Sequence, residues 1–249
     1  MGFVDKNRFS EDIYLGLPAN FNDKIITRRI NIINSIENFY DTKLNCAEIG
    51  CGNGATAIRL ANNFNFIDCF DIFENNKKEF EKNARTLNVT NCSFFVNDIE
   101  KDSFTYEKYD RLICFEVIEH FKDDKSVINL YKMIKKGGKA VISVPNKWWI
   151  FETHGAKLPF LPWNRVPFFS WLPKPIHEKF ANARIYTKNR IVKLLKKTGF
   201  RIEEVKYVTA PMDVLKEGKL KEFLTSTIFK NDTTKIPFFS TSIFIYVSK

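Results

Sequence analysis

From residue 44 to about 143, short apolar runs alternate with amphipathic stretches, the pattern of βαβ units around a parallel sheet. Runs at 44–49, 66–71, 92–96, 109–115 and 139–144 predict five strands. Between them, 55–63, 75–87 and 125–134 predict helices, with Gly137-Gly138 as the stop of the last. The alternation then breaks. Between Pro145 and Tyr186 lie Pro159, Pro162, Pro167, Pro173 and Pro175 together with all four tryptophans. So many prolines forbid a long helix or a central strand, which predicts a looped insertion carrying large amphipathic rings. Beyond it, 188–198 predicts a helix, 199–208 a strand and 243–247 a last short strand, with a second, partly helical insertion at 212–239.

A chain of 249 residues fits one hydrophobic core. We read 1–249 as a single domain in which the insertions 146–186 and 212–239 form a substrate cap. Hydrophobic residues at 44% and charged residues at 27% exclude disordered, collagen-like and disulfide-scaffold classes. The excess of 39 basic over 29 acidic side chains, net +10, favours an anionic partner: nucleic acid, acidic lipid headgroups or a phosphorylated substrate. The five cysteines (Cys46, Cys51, Cys69, Cys92 and Cys114) form no CxxC pair and have no histidines at zinc spacing, which fits a reducing cytoplasm. The first residues hold no apolar signal region, Lys6 stands where myristoylation wants Ser or Thr, and no apolar run reaches the ~18 residues of a membrane span. The expectation is a cytoplasmic protein with no transmembrane segment.

The first strand runs into Glu48-Ile49-Gly50-Cys51-Gly52-Asn53-Gly54 and a helix follows. Glycines there let the backbone approach a ligand, and the helix start offers unpaired N–H groups. Gly50, Gly52 and Ala55 also satisfy the dinucleotide fingerprint, so an oxidoreductase is an alternative at this point. Asp71 closes the second strand twenty-one residues past Gly50, where a carboxylate can accept from ribose hydroxyls, and Asp98 after the third strand can accept from an adenine amino group. Glu48 ends an apolar strand, which is costly unless the carboxylate meets a cation or a strong donor. It would repel a pyrophosphate and hold a sulfonium or ammonium ligand.

These residues, with Asn97-Asp98, the run from Tyr109 to His120, Ile134-Lys135-Lys136-Gly137-Gly138-Lys139 and Ser143-Val144-Pro145-Asn146, resemble the class I S-adenosylmethionine (SAM) dependent methyltransferases. The likeness is closest to the group containing the ubiquinone-biosynthesis O-methyltransferases. It covers about residues 40–146 and, more loosely, 187–209. It implies a Rossmann-like α/β fold with a seven-stranded, mostly parallel sheet of order 3-2-1-4-5-7-6, the last strand antiparallel, and helices on both faces. It also implies SAM as cofactor, with Glu48, Gly50, Cys51, Gly52, Asn53 and Gly54 at its methionine end. Asp71 and Ile72 would then lie at the ribose, Asp98 and Ile99 at the adenine, and Glu116 near the sulfonium.

Methyl transfer from a sulfonium needs an aligned acceptor and a place for its proton. His120 and His154 are the candidate bases, and His177 reads as a surface residue. In the resembling O-methyltransferases a cluster like Glu116, Glu119 and His120 is thought to bind a divalent metal such as magnesium, so a metal is a second expectation. The fourth strand lacks the Asn/Asp-Pro-Pro-Tyr pattern of nucleobase amino-methyltransferases, which argues against DNA, and dispersed lysines and arginines argue against RNA. The expected reaction is methylation of a small molecule, at oxygen of an apolar, aromatic or lipid-like acceptor. The aromatic insertion could also contact a sugar face or a membrane surface. RNA methylation and a non-catalytic SAM-fold binding protein are the alternatives.

Overall fold

The computed structural model describes residues 20–249 apart from 102, 155, 159, 160, 164 and 165. The reading of the extreme N-terminus therefore lies outside the described residues. The chain opens with helix α1 (Lys24–Asn34), which buries Ile26, Ile30 and Ile33 along one face. There follow β1 (Asp41–Ile49), α2 (Ala57–Leu60), β2 (Phe64–Asp71), α3 (Asn75–Thr86), β3 (Cys92–Val96), β4 (Tyr109–Phe115), α4 (Val127–Met133) and β5 (Ile134–Pro145). The first insertion contributes β6 (Ala156–Leu158), β7 (Leu161–Trp163) and α5 (Lys174–Phe180). Helix α6 (Lys188–Thr198), β8 (Arg201–Thr209), α7 (Lys219–Ser226), β9 (Thr233–Thr234) and β10 (Ser240–Ser248) complete the chain.

Among the described residues the main sheet has eight strands in the order β3-β2-β1-β4-β5-β10-β8-β9. Strands β1 to β5 pair in parallel, whereas β10 runs antiparallel to both β5 and β8. With β8 sixth and β10 seventh this is the expected 3-2-1-4-5-7-6 order, and β9, from the second insertion, adds a two-residue edge. The inner strands read as continuous apolar runs because helices cover both faces, and Leu112, Ile113 and Cys114 are all 0% exposed. Cys46, Cys51, Cys69 and Cys114 are buried, Cys92 is partly buried, and all five are free thiols.

One boundary departs from expectation. Gly137-Gly138 does not stop α4, which ends at Met133; both glycines lie inside β5. The register against β4 slips there, from Tyr109↔Ile134 to Arg111↔Lys139, and Gly137 takes φ 78°. The glycines serve a bulge that redirects the strand. The two insertions share a small core in which Trp149, Met212 and Phe229 are buried. Arg28 of α1, 1% exposed, donates to the backbone oxygens of Phe229 and Asn231, tying the second insertion to the N-terminal helix. Among the described residues no helix is long and apolar enough to cross a membrane.

Candidate active site

The C-terminal ends of the parallel strands open on one cleft of about 1510 Å³. That exceeds the ~300–1,000 Å³ typical of a small-molecule pocket, so a cofactor and an acceptor fit side by side. Of the residues expected at a cofactor, all but Gly54 line it; a Cβ at Gly54 would instead meet Phe80 Cδ2 at 2.6 Å, in the core.

Gly50 takes φ 72°, and a Cβ there would stand 2.2 Å from Val117 Cγ2, so only glycine lets the loop pass the end of β4. Glu48 is 4% exposed, and the strong donor it needs is the Ala57 N–H, 2.9 Å from Oε2, which ties β1 to the start of α2. Burial pushes its pKa up to about 8 against the bonds from Ala57 and Thr56. Asp71 braces the loop from the next strand, accepting the Gly52 N–H at 2.8 Å on Oδ2 and the Phe73 N–H at 2.9 Å on Oδ1. Burial lifts its pKa despite those bonds. Asp98 pairs with Lys101 at 2.6 Å; burial works to raise its pKa, but that lysine and the Glu100 N–H hold it below the usual range. Ile99 is buried beside it, while Ile72 is exposed at the rim.

Glu116 adopts φ 55°, a left-handed conformation costly for a residue with a side chain and a mark of functional sites. Its carboxylate is taken by Arg29 of α1 at 2.8 Å and by the Ser143 hydroxyl at 2.8 Å. Sequence reasoning missed Arg29, a buried cation on the cleft wall. The signal was Arg28-Arg29 set within the helical apolar spacing of Ile25, Ile26, Ile30 and Ile33.

Past β4 a 3₁₀ turn (Ile118–His120) presents Glu119 and His120. The Glu119 side chain is 0% exposed, and the imidazole of His154, from the first insertion, comes within 3.3 Å of its Oε1 through Nε2. The rings of His120 and His154 are 5.2 Å apart. Burial, then the charge of Glu116, pushes Glu119 up to about 7. Burial, with His154 and Arg184 nearby, lowers His120 to about 3, leaving a neutral imidazole. Burial disfavours a charged His154, but Glu119 outweighs it and the pKa rises.

His154 is held at both backbone groups. Its N–H donates to Glu152 Oε1 at 3.0 Å and its carbonyl accepts from Asn182 Nδ2 at 3.1 Å. Glu152 Oε2 also takes the Ser170 hydroxyl at 3.1 Å and lies 2.8 Å from His177 Nε2. His177 is thus not a surface residue: it is 0% exposed, packed against the buried Glu152 carboxylate, which needs a polar partner. Trp149 and Phe151 of the first insertion line the cleft, whereas Trp148 and Trp171 are exposed.

Residues 41–219 match the family described as "Methyltransferase domain", and the chain belongs to that family. It is a class I SAM-dependent methyltransferase, which leaves no place for the dehydrogenase alternative. It is similar to the ubiquinone biosynthesis O-methyltransferase of Rickettsia akari, 27% identical over 210 residues that span 82% of this chain and 77% of the relative. The Rickettsia prowazekii protein of the same name is 29% identical over 198 residues, 73% of this chain and 71% of its own. The fold is that of an S-adenosylmethionine dependent methyltransferase from Mesorhizobium loti, with TM-score 0.62 and 12% identity over 89% of this chain and 98% of that one. Phosphoethanolamine N-methyltransferase 2 of Haemonchus contortus, solved with S-adenosyl-L-methionine, aligns with TM-score 0.59 and 16% identity over 90% of this chain and 52% of its own.

Proposed function

We propose that this methyltransferase acts on a hydroxyl of a small molecule, with the Glu119–His154 pair receiving the hydroxyl proton. The observation that carries the reading is the 3.3 Å contact between a buried carboxylate and a histidine on the wall of the same cleft as the glycine loop. The left-handed glycines, with no room for a Cβ at Gly50, form a cradle that fits the methionine end of SAM. Asp71 and Ile72 would hold the ribose, Asp98 and Ile99 the adenine, and Arg29 with Glu116 the floor beneath the reacting centre. SAM supplies an activated methyl group. The protein's part is to align the acceptor and hold its proton. His120, neutral and with Nδ1 unpartnered, is placed to orient the acceptor. Trp149 and Phe151 offer its flat or apolar face a wall, and the segments 146–186 and 212–239 would act together as the cap.

A metal is the second reading. Glu119, His120 and His154 each offer a ligand atom, all within 4.8 Å of one another, and Glu116 stands outside the group because Arg29 and Ser143 hold it. Two imidazoles and one carboxylate suit zinc or iron better than the magnesium expected from the sequence. An ion held there would lower the pKa of the acceptor hydroxyl. Peripheral membrane contact draws support from the outward cluster of Trp148, Phe168, Trp171 and Phe238, all exposed. The test of the main reading is label transfer from methyl-labelled SAM into extract fractions, with structured RNA as a control acceptor. An O-methylated small molecule is expected, and labelled RNA would defeat the reading.

A further inference from the structure

We infer that the acceptor is a sugar unit, methylated on one of its ring hydroxyls; this rests on the O-methylation reading above. The cleft that would take the acceptor joins aromatic and polar groups. Trp149 and Phe151, their rings 5.8 Å apart and 64° to each other, line it. The polar residues Glu119, His120, His154, Asn182 and Thr241 line the same cleft.

Several of these side chains carry hydrogen-bonding atoms that nothing satisfies. Glu119 Oε1 meets His154, but Glu119 Oε2, His120 Nδ1, Asn182 Oδ1 and Thr241 Oγ1 are without a partner. Each such group costs about 1–3 kcal/mol when left unmade, and folded proteins hold only a few per hundred residues. Four such atoms on residues that line one cleft therefore point to a ligand. The metal-capable group accounts for Glu119 and His120 but not for Asn182 or Thr241. The atoms are shielded from bulk water, but carboxylate and amide ends turn readily about their last torsion toward a ligand.

Glu119 Oε2 and Asn182 Oδ1 accept, Arg184 Nε, unpartnered on the same cleft, donates, and His120 Nδ1 and Thr241 Oγ1 can do either, so a ligand carrying several hydroxyl groups fits them. A phenol or quinol ring brings one or two. A pyranose brings more, spaced around a ring whose C–H face suits an aromatic wall, and each hydroxyl both donates and accepts. In the transfer a ring hydroxyl oxygen forms the new C–O bond while the methyl–sulfur bond breaks and leaves its electron pair on sulfur. The hydroxyl proton passes to the Glu119–His154 pair. The products are a sugar methyl ether and S-adenosylhomocysteine.

Methyl-labelled SAM and extract of the source cells are incubated with the protein, and the labelled material is hydrolysed in acid and its monosaccharides separated. Label in a methylated monosaccharide is the expected result. With that acceptor, Thr241→Val should raise KM about tenfold, the loss of one hydrogen bond, while kcat and SAM affinity stay close to wild type. Label in an O-methylated phenol, quinol or lipid overturns the sugar assignment and leaves the O-methylation reading standing. Label on nitrogen or carbon overturns both. An unchanged KM in Thr241→Val, with the variant folded and binding SAM, also contradicts the assignment.

Discussion

His154 Nε2 lies 3.3 Å from Glu119 Oε1, although the two residues belong to different segments: one to the turn after β4, the other to the insertion after β5. The contact raises the histidine pKa above its ordinary value against the effect of burial. A base works only when its proton is off, so turnover should climb with pH and level out above that raised pKa. In Glu119→Gln the midpoint should move to lower pH, since the charge that raises it is gone. A kcat–pH profile of both proteins, each run with and without chelator, checks this. Identical midpoints would mean that the pair does not carry the proton, and loss of turnover with the chelator would favour the metal.

Asp71→Ala removes both a proposed ribose acceptor and the brace of the glycine loop. Loss of such charge-assisted hydrogen bonds costs about 1.5–3 kcal/mol, or roughly ten- to a hundredfold in SAM affinity. Because Gly52 and Phe73 lose their carboxylate partner, the Tm of the ligand-free protein should fall as well. Calorimetry with SAM and a thermal melt on the same preparation give both numbers. Wild-type affinity would show that the ribose lies elsewhere.

Much of this was legible in the sequence. The parallel core followed from apolar runs at 44–49, 66–71 and 109–115, because inner strands buried on both faces read as continuous apolar runs. The glycine loop and the acids ending β2 and following β3 were found by spacing and do line one cleft. What spacing could not show is which long-range partner a side chain finds. Glu116 was expected near the sulfonium and as a metal ligand, whereas Arg29, from a distant helix, holds its carboxylate, and His177 read as a surface residue because Glu152, twenty-five residues away, is not its neighbour in sequence. The stop assigned to Gly137-Gly138 failed for a related reason. Left-handed glycines serve bulges as well as helix ends, and only the pairing of β4 with β5 distinguishes them.

Glu48 should make ligand-free stability depend on pH. Its folded pKa, about 8, lies above the ordinary 4.5, so the folded state binds the proton more tightly. That stabilisation is complete below about pH 4.5 and disappears as pH rises through 8. Thermal melts should accordingly show a falling Tm across this window, and Glu48→Gln, which can still accept the Ala57 N–H, should flatten the slope. A slope unaltered in Glu48→Gln would assign the effect to another group.

Gly50→Ala should be severe despite its single added methyl. The new Cβ meets Val117 Cγ2 at 2.2 Å, and φ 72° is strained for alanine. A strained conformation costs about 1–3 kcal/mol, and the displaced loop should lose most SAM affinity. Paired melts and SAM titrations measure it, and Val117→Ala in the same chain should restore part of the loss by opening the space.

The central claim is hydroxyl methylation with Glu119 and His154 holding the acceptor's proton, and single-turnover methyl transfer by wild type and His154→Ala in the presence of a chelator tests it most directly. The account predicts an O-methyl product, transfer by wild type that survives the chelator, and a fall of about 10²–10⁴ in His154→Ala with S-adenosylhomocysteine affinity unchanged. Full-rate transfer by His154→Ala, or a product methylated at nitrogen or carbon, would contradict it.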